Sequence, residues 1–256
     1  MKKIFLTLAF FFFAAAALLA QRAHFISGGT IEYDKTTNMY AVIKSSLDPK
    51  SVYDKSYFES YQNKFPQFKR LKSTLKFGEN KTLFTPAVVT DENSSQFWYD
   101  VFASQPNITW SDLTTRSTVI AKEIYNEELL LRDTMRKVKW KITDETREIA
   151  GYTCRRANGI MMDSIYVVAF YTNKIPVFGG PESFNGLPGM ILQVSLPHDN
   201  ITWMATKVTE ADVPGNTIVP PKKGKPMNRK ELYDAVKIFM KHWGKDGLVE
   251  MKLFLL

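Results

Sequence analysis

From Gly28 the chain reads GGTIEYDKTTNMYAVIKSSL, with Ile31 and Tyr33, then Tyr40 and Val42, alternating with polar residues. A period of two places those side chains on one face, predicting two half-buried strands around the turn-rich DKTTN. Tyr53, Tyr57, Phe58, Tyr61 and Phe65 then recur at helical spacing until Pro66 ends the pattern. That spacing predicts a short amphipathic helix. In STLKFGENKTLFT two alternating segments flank Gly78 to Lys81, a hairpin pattern.

The middle of the chain is a succession of strand-like pieces: NITWSDL, TVIAKEIY, LLLRDT, VKWKIT, YTCRRANG, DSIYVVAFYT, MILQVSL and NITWMATKV. Short polar turns separate them, among them one assigned to Asp144–Arg147. Even spacing of this kind predicts an antiparallel meander instead of alternating strand and helix units. Near the end, Asn228 and Glu231 have the spacing of a capping box, and Leu232, Ala235, Val236, Phe239, Met240 and Trp243 line one helical face. The fold expected is therefore mainly β (α+β): a large antiparallel sheet with a few helices, including an amphipathic one near the C-terminus.

The first twenty residues change the picture of where the protein works. Lys2 and Lys3 precede an apolar run that ends in small alanines, the pattern of a secretory signal peptide cut after Ala20. The expected mature chain, residues 21–256, is a single β-rich domain that is exported and has no stable membrane span after cleavage. The net charge of +8 falls to +6 without those two lysines, and the remaining charges are spread along the chain as a solvated surface. Export and scattered charge argue against nucleic acid as a partner. The single Cys154 can form no intramolecular disulfide, so stability must come from packing.

Candidate chemistry is sparse. His24, His198 and His242 are far apart, and no CxxC, HExxH or HxH spacing occurs, so neither a metal nor a cofactor is expected. Ser183 lacks a GxSxG elbow, and Cys154 on a predicted strand reads as a small core residue. Asp144, Glu145 and Glu148 form an acidic cluster in a predicted turn; the aromatic FWYDVF, residues 97–102, fits a buried helical turn or a sugar-binding surface. No catalytic residue is assigned. A hydrolase reading would draw on Glu182, Asp144, Glu145 or Cys154.

The most distinctive stretch is YTNKIPVFGGPESFNGLPGMIL, residues 171–192. Gly186, Leu187, Pro188 and Gly189 predict a structural turn, with Pro188 and Gly189 at the centre of a type II turn before a buried strand. Upstream, Lys174, Pro176, Gly180, Pro181, Glu182, Phe184 and Asn185 make the candidate binding loop. Glu182 and Asn185 can orient a ligand there or, as such residues more often do, bond the loop backbone.

FNGLPGMIL resembles the signature of the GLPGLI family, exported proteins of Gram-negative bacteria, with Met190 where leucine is usual. The resemblance extends through WKITDETREIAGYTCRRA, AFYTNKIPVFGGPESF and PKKGKPMNRKEL, from Trp140 to Leu232, with Phe170 where tryptophan is common. It implies a signal peptide and a periplasmic or extracellular setting. It implies no activity, because the family's function is uncharacterised. The leading expectation is a non-enzymatic envelope module that binds a ligand or partner: an envelope protein, a lipid or a glycan. By fold analogy, the strand-rich order is similar to periplasmic half-barrels that carry lipids or lipoproteins.

Overall fold

Strand β1 (Gly29–Asn38) leads into helices α1 (Met39–Ser46) and α2 (Val52–Lys64), followed by β2 (Phe68–Gly78) and β3 (Lys81–Pro86). The meander continues through β4 (Ile108–Asp112), β5 (Ser117–Ile124), β6 (Glu127–Thr134), β7 (Lys139–Ile149), β8 (Tyr152–Met161) and β9 (Ile165–Thr172). After a long loop come β10 (Met190–Leu196), β11 (Ile201–Glu210), β12 (Lys225–Met227) and α3 (Arg229–Met240). These elements belong to a computed structural model that describes residues 25–88, 103–124, 126–240 and 254–255. The leader, residues 1–20, the aromatic segment 97–102, His24, His242 and Trp243 lie outside the described residues, as do the side chains of Phe239 and Met240.

All twelve strands join one sheet in the order β12-β6-β5-β4-β3-β2-β1-β11-β10-β9-β8-β7. Every pairing is antiparallel except β12 with β6. Three tight hairpins follow from paired positive φ angles: Glu79–Asn80, Ala150–Gly151 and Met162–Asp163. Such pairs match the right-handed twist of the flanking strands. The sheet does not close, since β7 and β12 are left as edges. It nevertheless curls, because Phe84 on β3 and Ile149 on β7 share one apolar cluster with Ile31, Leu75, Val167 and Leu192. A smaller cluster packs Leu232 and Val236 of α3 onto Ile120 and Leu131. A third joins Met39 and Ile43 of α1 to Tyr61 of α2. Among the described residues no helix is long and apolar enough to cross a membrane.

The eight central strands and the hairpin at Gly78 form where the pattern predicts, and so does α2, although Tyr61 is buried with Tyr57, Phe58 and Phe65 packed around it while Tyr53 is exposed. At α3, Asn228 Oδ1 accepts from Glu231 N at 2.9 Å while Glu231 Oε2 accepts from Asn228 N at 2.8 Å, a reciprocal capping box. Three local expectations are corrected. The strand expected at Tyr40 and Val42 is α1, because Asn38 Oδ1 accepts from Ala41 N at 3.2 Å and caps a helix there. DKTTN is accordingly the second half of β1, whose inward positions run Ile31, Tyr33, Lys35 and Thr37. The turn assigned to Asp144–Arg147 is a bulge within β7, and the chain reverses later, at Ala150–Gly151.

Candidate functional site

The register of β1 builds one wall of the site. Lys35 stands opposite Trp203 of β11 on one side and Leu71 of β2 on the other, so three side chains from neighbouring strands meet on the curled inner face. The Lys35 ammonium lies 5.1 Å from the Trp203 ring centroid, within cation–π range. Ser73, one ladder step away opposite Tyr33, leaves room because its side chain is short.

The loop between β9 and β10 brings the opposing wall. Phe184 N donates to Pro181 O at 3.1 Å, closing a turn whose first central residue is Glu182 at φ +50°. That conformation disfavours any residue with a Cβ and persists only where surrounding structure enforces it. Phe184 supplies the enforcement: it is buried, with its ring centroid 5.7 Å from that of Trp203. Gly180 allows the close approach, since a Cβ there would press on Phe184 O at 2.8 Å.

Lys35, Leu71, Ser73, Phe84, Gln105, Glu182 and Trp203 line a cavity of about 380 Å³. Glu182 is largely buried and lines this cavity. Asn107 Nδ2 donates to Glu182 Oε2 at 3.4 Å, a long hydrogen bond. Burial raises the Glu182 pKa, while Lys35, Lys122, Asn107 and Trp203 pull it back down. The indole N–H of Trp203 lies beside the carboxylate without reaching full hydrogen-bond geometry. Lys122, inward on β5, is the deeper cation: burial lowers its pKa to about 7 against the opposing pull of Glu182. Its Nζ has no hydrogen-bond partner among the described residues.

The loop residues do not form one site. Asn185 donates to Arg136 O at 3.3 Å and Ser183 O at 2.8 Å, and Trp140 Nε1 donates to Asn185 O at 2.9 Å. Asn185 therefore ties the loop to the β6–β7 connection. With Gly186, Leu187 and Pro188 it lines a separate open groove of about 940 Å³, which also carries Arg116, Lys137 and Lys139. Lys174 and Pro176 are exposed, and Pro181 is buried.

The turn before β10 differs from the one expected. Gly189 N donates to Leu187 O at 2.8 Å, and Met190 N donates across to Ile175 O at 3.0 Å. A type II turn would join Met190 N to Leu187 O; the three-residue bond centred on Pro188 is a γ-turn. Gly189 remains obligatory, with φ +147° and a Cβ position that would collide with Thr172 O.

The groups a hydrolase would use are dispersed. Asp144 pairs with Arg155 at 3.3 Å and Glu145 with Arg156 at 2.5 Å, both at exposed positions. Cys154 is buried, its Sγ donates to Tyr152 O at 3.4 Å, and burial, then Glu148, pushes its thiol pKa up to about 12. Among the described residues no group of His, Cys, Asp and Glu side chains could hold a metal ion. Lys35, Lys122 and Trp203 were absent from the residues singled out by sequence. The continuing alternation of β1 and the Thr118, Ile120, Lys122, Ile124 alternation of β5 were the signals that could have found the two lysines.

Residues 159–193 match a family described as a protein of unknown function (Porph_ging). No curated protein matches the chain. A solved structure of PNGF-II in a C2 space group is 15% identical with a TM-score of 0.51, covering 81% of this chain and 32% of that one. Its P21 form gives 16% identity and a TM-score of 0.49, covering 82% and 33%. An uncharacterized conserved protein from Thermus thermophilus is 6% identical with a TM-score of 0.39, covering 84% of this chain and 98% of that one. This chain thus spans about a third of the length of PNGF-II, and the likeness at a TM-score of 0.51 is one of fold.

Proposed function

We propose that the protein is an exported cell-envelope module of the GLPGLI type that binds a ligand in its curled sheet without transforming it. In this reading, residues 1–20 are a signal peptide, residues 21–256 are one domain, and the mature protein works in the periplasm or outside the cell. The observation that carries the binding role is Glu182: a cavity-lining carboxylate held at φ +50° opposite Lys35 and Trp203. Backbone strain at a charged residue that faces a cavity is a feature of ligand sites. The hydrolase alternative, which would draw on Glu182, Asp144, Glu145 or Cys154, is not favoured, because Asp144, Glu145 and Cys154 are engaged with other partners and leave Glu182 in the cavity without a second catalytic group from that set. The short Porph_ging match supports a family setting and names no reaction.

Native mass spectrometry of the mature protein, purified from its own envelope under mild conditions, tests this reading. A bound mass should accompany the wild type and be lost from Ser73→Leu, which fills the cavity. A bound mass retained by a folded Ser73→Leu, or none on either protein, would count against the assignment. Edman sequencing of the same material should begin at Gln21 if the leader is cut after Ala20.

A further inference from the structure

We propose that the cavity beside Glu182 takes an amphipathic organic anion, with an apolar body of about ten to fifteen heavy atoms and one carboxylate or phosphate head at Lys35. The inference rests on the ligand-binding reading above and adds the class of ligand. Its first support is the form of the cavity. Leu71, Phe84, Pro86 and Ile108 make much of the wall, and a space of about 380 Å³ holds a short chain or small ring system. Polar side chains, among them Lys35, Lys72, Ser73, Gln105 and Glu182, are interspersed with this apolar wall, and such groups fix a ligand's orientation.

The second support is charge. Lys35 is 8% exposed and Lys122 is 3% exposed, so both side chains are largely withdrawn from bulk water, with the Lys122 ammonium fully buried and the Lys35 side chain lining the cavity. Neither makes a hydrogen bond or ion pair among the described residues; Lys35 has only the Trp203 ring and the more distant Glu182. Both lysines look to the one carboxylate of Glu182, but only Lys35 lines the cavity with it, and a buried charge without a partner is costly. A ligand head of negative charge at Lys35 supplies the missing counter-charge. The third support is the set of hydrogen-bonding atoms left idle around the same space. Ser73 Oγ and Ser104 Oγ are buried hydroxyls with no hydrogen-bond partner among the described residues and Trp203 Nε1 reaches only towards Glu182; all three residues line the cavity, as does Gln105 with its unpartnered amide oxygen. Buried polar atoms are normally satisfied, and an oxygen-rich anionic head accepts from donors of this kind.

Isothermal titration of the mature protein with decanoate, monodecyl phosphate, decanol and decyltrimethylammonium, each below its micelle concentration, tests the inference. At least one anion should bind about tenfold or more tightly than decanol, and the cation should bind more weakly than either anion. The preferred anion tells a carboxylate from a phosphate source. Lys35→Met should lose about tenfold in anion affinity while its affinity for decanol stays within about twofold. Equal binding of decanol and both anions to the wild type would overturn the anion assignment while leaving the ligand-binding module intact. Binding of no probe would overturn it too, and the mass-spectrometry result would then decide the module reading separately. If Lys35→Met does not fold, the wild-type ranking of the four probes alone settles the matter.

Discussion

Lys35 and Trp203 stand directly opposite each other on the β1–β11 pair, with the ammonium 5.1 Å from the indole ring centroid. The ring offers a cation its electron-rich face in a place that water reaches poorly, which offsets part of the desolvation that lowers the Lys35 pKa. Phe184 packs on the same indole and holds the turn that presents Glu182. One tryptophan therefore couples the strand that carries the cation to the loop that carries the carboxylate.

The strain at Glu182 is measurable by comparing two truncations. Both Glu182→Ala and Glu182→Gly remove the carboxylate, but only glycine adopts φ +50° without opposing its own Cβ. Glu182→Gly should therefore be more stable than Glu182→Ala by about 1 kcal/mol, a few degrees in Tm for a domain of this size. Chemical denaturation of the pair checks it, and equal midpoints would show that the loop relaxes at little cost.

Lys122 predicts a pH-dependent stability. Its pKa is about 7 in the folded protein and near 10.5 when exposed, so the unfolded chain binds more protons between those values. Stability lost to this lysine is greatest below about pH 7 and fades as pH rises towards 10.5. Lys122→Met should accordingly raise Tm most at pH 6, with the gap over wild type narrowing at pH 8 and again at pH 9.5. A gap constant across that range would mean that Lys122 keeps its ordinary pKa in the fold.

Cys154 should be inert in the native state. A thiol pushed up to about 12 has almost no thiolate near pH 8, and the side chain is buried. Ellman's reagent should label it only after denaturation. Fast labelling of the folded protein would reopen the case for a reactive cysteine.

The strands from β4 to β11 were legible because each is a short run, alternating as in β5 or continuously apolar as in β10, set between turns, a property local to the chain. Helix α1 was not, since Tyr40 and Val42 alternate over too few residues to outweigh the cap that Asn38 provides. The site was legible only at Glu182. Lys35 sits in DKTTN, whose composition reads as a turn, and its role depends on registers with Leu71 and Trp203 far along the chain. Asn185 looked equivalent to Glu182 in sequence, yet the turn at Pro181–Phe184 sends the carboxylate inward while Asn185 bonds the backbone of the β6–β7 connection. Which way a loop side chain turns depends on tertiary packing, and no local pattern encodes it.

Gly189 and Gly186 separate two reasons for glycine in one short stretch. Both have positive φ, but a Cβ at Gly186 would meet nothing nearer than Trp140 Nε1 at 3.6 Å, whereas one at Gly189 would collide with Thr172 O. The carbonyl belongs to β9, the strand that pairs with β10, so the collision cannot be relieved without parting the ladder at Met190. Gly186→Ala should cost about 1 kcal/mol, the strain of a left-handed alanine alone. Gly189→Ala should cost more, about 3 kcal/mol or above, because overpacking adds to that strain. Urea unfolding of the two variants gives the comparison. Equal losses at both positions would show that the start of β10 is looser than its hydrogen bonds to Ile175 and Gly179 imply.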